Sequence, residues 1–156
     1  MAAAVTIRIQ QADFDIGGEI AGLTKGRTDI GAVVSFSGIC RGTEGDDAIA
    51  ALTLEHYPDM AEAEIARHVE AATARWPLSS VTVIHRVGRI AAGENIVLVL
   101  TASQHRQAAF QAAEDRLVVK ALLKPGSRDE DPPDSLPAAV GDVSLTGDVR
   151  VGNGGA

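Results

Sequence analysis

A chain of 156 residues, 46% of them hydrophobic, is long enough for one domain with its own core, and with aromatics at 3% that core must rest on Val, Ile, Leu and Ala. The formal charge of −7 argues against a non-specific nucleic-acid surface, which needs a basic face, so any cationic site has to be local. The single cysteine excludes an internal disulfide framework or a cysteine-rich zinc site, and no apolar run nears the ~20 residues of a membrane span. One free cysteine and the lack of a charged-then-apolar start after Met1 fit a reducing, cytoplasmic setting without a signal peptide.

Residues 5–9 alternate and read as a strand; residues 15–24 read as a short helix ending in a turn at Lys25-Gly-Arg-Thr-Asp29. The apolar run from Ala32 to Ser37 predicts a buried strand, and the polar, glycine-containing stretch 41–47 a mobile loop. Residues 50–57 alternate again, with Leu52, Leu54 and His56 on one face. Asp59 and Glu62 then have capping-box spacing, Ile65, Val69, Ala72 and Trp76 follow at helical intervals, and Pro77 stops the helix. Val81–Val87 is a further strand, 88–94 a turn, and Ile96–Ala102 a strongly buried strand. Ser103 is placed to cap a last helix running to about Leu123, along which Arg106, Phe110, Ala113, Leu117, Lys120 and Lys124 form one stripe.

Short connections make 32–37 with 50–57, and 81–87 with 96–102, candidate antiparallel pairs. The fold class is α+β, a mainly antiparallel sheet with helices packed on it. Residues 1–124 form the one domain. The tail 125–156, rich in Pro, Gly and Asp, has little to bury and reads as loop or disorder, with a weak hairpin over 143–151.

The chemistry concentrates in three places. Arg41 follows a buried strand and sits in a loop; a guanidinium there matches phosphate or carboxylate bidentately, although a solvated loop arginine is the commoner fate. His105 and Arg106 open a helix whose N-terminal N–H groups and positive dipole end already suit an anion. Cations at that end work against the helix unless an anion compensates. Arg41, His105 and Arg106 are therefore expected to hold an anionic small molecule. Lys120 and Lys124, four apart, are either a solvated helix end or phosphate-binding and group-transfer lysines. His85 and His56 read as satisfied core histidines. Cys40 lacks a clear base partner and reads as a small buried residue rather than a nucleophile. No residues have metal-ligand spacing, so no metal is expected.

In order along the chain stand Gly31-Ala-Val-Val-Ser-Phe-Ser-Gly38, Leu52-Thr-Leu-Glu-His-Tyr-Pro-Asp-Met60, Arg75-Trp-Pro-Leu78, Val81-Thr-Val-Ile-His-Arg-Val-Gly88, Gly93-Glu94 and Ser103-Gln-His-Arg106 with Ala109-Phe110. Together they resemble the catalytic large subunit of molybdopterin synthase, the MoaE family, over roughly residues 30–113. The resemblance implies an α/β-hammerhead fold and a homodimer of large subunits within a heterotetramer. Each large subunit would bind a ubiquitin-like small subunit of the MoaD type, whose C-terminal thiocarboxylate supplies sulfur to cyclic pyranopterin monophosphate and gives the molybdopterin dithiolene. No permanently bound cofactor and no metal are implied. Carried over by position, Ile39, Cys40, Arg41, His105 and Arg106 are substrate-binding, and Lys120 and Lys124 are catalytic.

The chain departs from the family pattern downstream. A lysine followed by an Ala-Pro-Phe-Trp-Lys-Lys-Glu block is replaced by Val118-Val-Lys-Ala-Leu-Leu-Lys-Pro-Gly-Ser127. A diverged terminus or an altered reading frame explains it, and a catalytically impaired binding module for the small subunit or an anionic pterin is the alternative function. Arg106 and Lys120, 14 residues apart, would lie about 21 Å apart along a straight helix, which predicts pockets built from two protomers.

Overall fold

The pattern resolves into nine strands and three helices among the residues that the computed structural model describes, 2–44, 46–54, 58–114 and 150–151. In chain order these are β1 (Ala4–Gln10), α1 (Ile16–Thr24), β2 (Ala32–Ile39), β3 (Thr43–Glu44), β4 (Asp47–Ala48) and β5 (Ala51–Leu54). There follow α2 (Pro58–Arg75), β6 (Leu78–Arg86), β7 (Gly88–Ala91), β8 (Asn95–Ser103), α3 (Arg106–Glu114) and β9 (Arg150–Val151). The main sheet has the order β1-β6-β8-β2-β9, and its pairings are antiparallel except β1 with β6.

Side-chain alternation sorts the core into two layers. Val81, Val83, Val97, Val99 and Phe36 face Ile65, Val69 and Ala72 of α2, whose spacing matches the sequence expectation. Ile84, Leu98 and Leu100 face the other way, onto Phe14 and the Ile16, Ile20 and Leu23 stripe of α1. Trp76, just past α2, packs against the first layer and carries the Arg75 guanidinium 4.8 Å from its ring centre.

Four expectations are corrected. The strands 32–37 and 50–57 are not neighbours: β2, buried along most of its length, takes the apolar β8 as partner, whereas the part-exposed β5 pairs with β7 in a separate ribbon. Gly88–Ala91 is therefore strand, and only Ala92–Glu94 turns, with Gly93 at φ +87°. The stretch 41–47 carries the small β3–β4 pairing instead of being wholly loop. The buried face of α3 is Ala108, Ala109, Ala112 and Ala113, while Phe110 of the expected stripe is exposed. Alanines let the helix sit close on Ala32 and Val34, and the buried Thr101 hydroxyl donates to the Ala109 carbonyl at 2.8 Å.

The predicted pair 81–87 and 96–102 is seen as β6–β8. Within the tail, Arg150–Val151 pairs with Val33 and Ala32, so these two residues are strand. The rest of the expected 143–151 hairpin, the helix beyond Glu114, His56, Lys120 and Lys124 lie outside the described residues.

The link between α1 and β2 is tied to the sheet by an ionic clip. Arg27 grips Asp29 with two hydrogen bonds of 2.8 Å and reaches the Ser80 hydroxyl at 3.1 Å and the Ser79 carbonyl at 3.4 Å. The Arg27 hydrogen bond is the main force lowering the Asp29 carboxyl from 3.8 to about 2.

Two outcomes test this packing. Ile84→Ala, at a fully buried site, is expected to lower stability by about 2–5 kcal/mol in urea unfolding. For Asp29 the folded pKa is below the unfolded one, so its contribution is present above pH 3.8 and fades as pH falls toward 2. A small stability gap between the parent and Asp29→Asn should be seen at pH 6 and vanish by about pH 2; a gap that grows on acidification contradicts the clip.

Candidate functional site

The β2–β8 ladder carries cationic residues at both of its ends. Its register runs from Ala32 opposite Ser103 to Ile39 opposite Asn95. Arg41 lies just beyond the Ile39 end, and His105 and Arg106 just beyond the Ser103 end. Seven strand steps between Ala32 and Ile39 amount to about 23 Å. A single chain thus does not bring Arg41 together with His105 and Arg106. The antiparallel register sends the two segments to opposite ends of the ladder.

At the Ser103 end, backbone geometry aims the pair. The Gly31 N–H donates to the Ser103 carbonyl at 3.0 Å, and any Cβ on Gly31 would run into the Gln104 carbonyl oxygen. The Ser103 hydroxyl donates to the Pro77 carbonyl at 2.9 Å and accepts a longer 3.4 Å contact from the His105 N–H. This replaces the expected helix cap: Ser103 is still strand, and α3 starts at Arg106. His105 and Arg106 are exposed. His105 borders an open cleft of ≈ 520 Å³ that Arg27, Asp29, Ser79, Ser103 and Gln104 also line. The sequence reading treated Arg27 and Asp29 only as a turn; their place in this cleft depends on the clip to β6, which no local pattern announces.

At the Ile39 end, the ladder shifts register between Gly38 and Ile39. The shift leaves Ile39 half exposed, Cys40 buried and Arg41 exposed. The Cys40 thiol faces the Arg41 carbonyl at 3.7 Å, which fits the structural reading of this cysteine. The cysteine backbone is held by the neighbouring turn: its N–H donates to the Glu94 carbonyl at 2.9 Å, and its carbonyl accepts from the Gly93 N–H at 2.7 Å. His85 is buried, with Nδ1 2.7 Å from the Arg86 carbonyl, as expected of a core histidine.

Arg86 is the residue that sequence reasoning passed over. It closes β6 with a buried guanidinium held by Gln11, Glu94 and Asn95. Asp13 joins the same cluster through the Asn95 amide at 3.0 Å. Partial burial opposes its charge, but the Asn95 amide, the Phe14 N–H and the Arg86 charge outweigh this and hold its carboxyl below the usual value. Among the described residues, no three His, Cys, Asp or Glu side chains gather as a metal site, and no helix is long and apolar enough to cross a membrane.

Comparison with known proteins places this geometry. The family model described as MoaE protein matches residues 9–118. A molybdopterin synthase catalytic subunit of Mesorhizobium japonicum is 64% identical over 110 residues, covering 70% of this chain and 68% of the relative. The solved structure of a molybdopterin biosynthesis MoaE protein from Burkholderia ambifaria superposes with a TM-score of 0.65 at 40% identity, covering 78% of this chain and 76% of the other. A complex of subunits 1 and 2 of molybdopterin-converting factor from Helicobacter pylori shares the fold, with a TM-score of 0.60 at 18% identity over 71% of this chain and 74% of the other. With a family model matching most of its length and a relative 64% identical, the chain belongs to the MoaE family.

Proposed function

We propose that the chain works in a cytoplasmic heterotetramer, as one of two large subunits that each receive the C-terminal tail of a ubiquitin-like small subunit and move its thiocarboxylate sulfur onto cyclic pyranopterin monophosphate. The enzyme class rests on kinship: the chain is a molybdopterin synthase catalytic subunit, as its 64%-identical relative is named. The small subunit as partner is supported by the two-subunit complex that shares the fold. The substrate, the sulfur donor and the residue roles are our reading of the site.

One observation carries the arrangement. Exposed Arg41 and the exposed His105–Arg106 pair stand beyond opposite ends of one strand pair whose ladder runs about 23 Å. Packing two copies so that the Arg41 end of one faces the His105 end of the other completes a cationic pocket at each of two equivalent places, as two-fold symmetry requires. In that pocket Arg41 grips the substrate phosphate in a planar, two-pronged contact. His105 and Arg106, at the start of α3, counter negative charge that develops as sulfur adds to the pterin. The thiocarboxylate sulfur is the nucleophile, so the enzyme needs none of its own, in keeping with the buried Cys40. No permanently bound cofactor is needed. Ile39, half exposed beside Arg41, offers the substrate an apolar neighbour. Lys120 and Lys124 assist the transfer; both lie beyond residue 118, where the family model's match ends.

Single turnover with thiocarboxylated small subunit and cyclic pyranopterin monophosphate is expected to give the dithiolene product, and no product at saturation removes the enzyme reading in favour of a binding module. Lys120→Ala should slow that turnover while leaving substrate binding intact; an unchanged rate moves catalysis to another residue. For the shared pocket, Arg41→Ala and His105→Ala chains should each be inactive, yet recover about a quarter of parental activity when mixed and allowed to exchange, because half the dimers are mixed and each has one intact site. A mixture as inactive as its components rules the shared pocket out.

A further inference from the structure

We propose that Arg86 and Glu94 are positioning residues for Arg41, acting through the backbone of Cys40. The inference rests on the reading of Arg41 as a substrate-binding residue. It gives a role to the His-Arg-Val-Gly and Gly-Glu blocks, which the pocket itself does not use.

The chain of contacts is continuous. An arginine only 6% exposed, as Arg86 is, needs its charge paired and hydrogen-bonded inside the protein. Its Nε donates to the Gln11 carbonyl at 3.1 Å, and one Nη donates to the Asn95 carbonyl at 2.9 Å and to Glu94 Oε2 at 3.1 Å. Two segments, around Gln11 and at Glu94–Asn95, therefore converge on one planar group, a task for which the point charge of a lysine is the wrong shape.

Glu94 passes the constraint on. The same Oε2 accepts the Ala91 N–H at 3.1 Å, closing the turn from below. The Glu94 carbonyl and the Gly93 N–H then take the N–H and the carbonyl of Cys40. Beyond the register shift at Gly38–Ile39, the β2–β8 ladder keeps one more pairing, Ile39 with Asn95, and then ends. These two bonds are what fix the backbone immediately before Arg41. The loop is pinned further by the Ile49 N–H on the Gly42 carbonyl at 2.8 Å and the Ala92 N–H on the Ala50 carbonyl at 2.9 Å. Arg86 is buried and so touches no substrate; its influence on Arg41 runs through Glu94 and Cys40.

A double-mutant cycle on the full chain with its small subunit separates positioning from mere support of the fold. Binding of cyclic pyranopterin monophosphate is measured by calorimetric titration for Arg41→Ala, Glu94→Ala and the double variant, each checked for folding by thermal melting. Glu94 is part-exposed, so Glu94→Ala is expected to fold, and Glu94→Gln keeps an oxygen for both donors and serves as the rescue. Glu94→Ala should weaken binding about tenfold, Glu94→Gln should restore most of it, and the double variant should bind no worse than Arg41→Ala alone. Losses that multiply in the double variant overturn the inference and leave the role of Arg41 standing. An Arg41→Ala variant with unchanged affinity removes the substrate-binding reading, and the inference with it.

Discussion

The antiparallel pairing of β2 with β8 is the constraint on which the rest depends. Both strands are buried along most of their length, which fixes them at the centre of the sheet and fixes their register, since a slip by one residue would turn every apolar side chain to the wrong layer. That register places Gly31 beside Ser103 and Ile39 beside Asn95. The positions of the cations follow from it: they stand where the ladder ends, because only there does the backbone leave the core. A packed centre thus sends the candidate residues to opposite ends of the ladder.

The two ends are stiffened by different means. At the Ser103 end the main device is steric: a residue without a side chain, Gly31, lies against the Gln104 carbonyl, and the α1–β2 link is secured by an exposed Arg27–Asp29 pair. Exposed pairs of this kind contribute little to global stability, so the clip serves chiefly to orient. At the Ile39 end the device is electrostatic: the Arg86 guanidinium is buried, while its partner Glu94 is part-exposed. Loss of Glu94 leaves the buried guanidinium with the Gln11 and Asn95 carbonyls alone, which costs more than the loss of an exposed pair. The Arg41 end is accordingly the more demanding of the two to alter.

Much of this was legible in the sequence, for identifiable reasons. The Ile96–Ala102 run and the Ile65–Val69–Ala72 stripe stand where the pattern puts them, because the strand is buried on both faces and the helix buries one continuous face. Strand partners were less legible: the short link between 32–37 and 50–57 suggested a hairpin, but burial decided the pairing, and burial depends on the whole chain. The alternation of 88–91 was masked by Gly88, whose φ of +80° is a strand-entry device here rather than a turn. Arg41, His105 and Arg106 were visible as cationic or protonatable residues after an apolar run. Their separation was not, since it needs the direction of two strands that are 55 or more residues apart in the chain. Arg86 escaped for a related reason: in sequence it is one more charge at a strand end, and only the convergence of Gln11, Glu94 and Asn95 shows it buried.

The charge distribution is in keeping with the proposed pocket between two copies. The chain has a formal charge of −7, so its cations act against a repulsive background for any anion. One arginine at one edge offers a phosphate a single fork and much solvent, and in water such a contact is weak. Bringing the far edge of a second copy against it adds His105, Arg106 and the positive end of α3, and excludes water from between them. Local field strength then comes from geometry instead of composition. In the proposed assembly an acidic protein can hold an anionic substrate without becoming a general binder of nucleic acid.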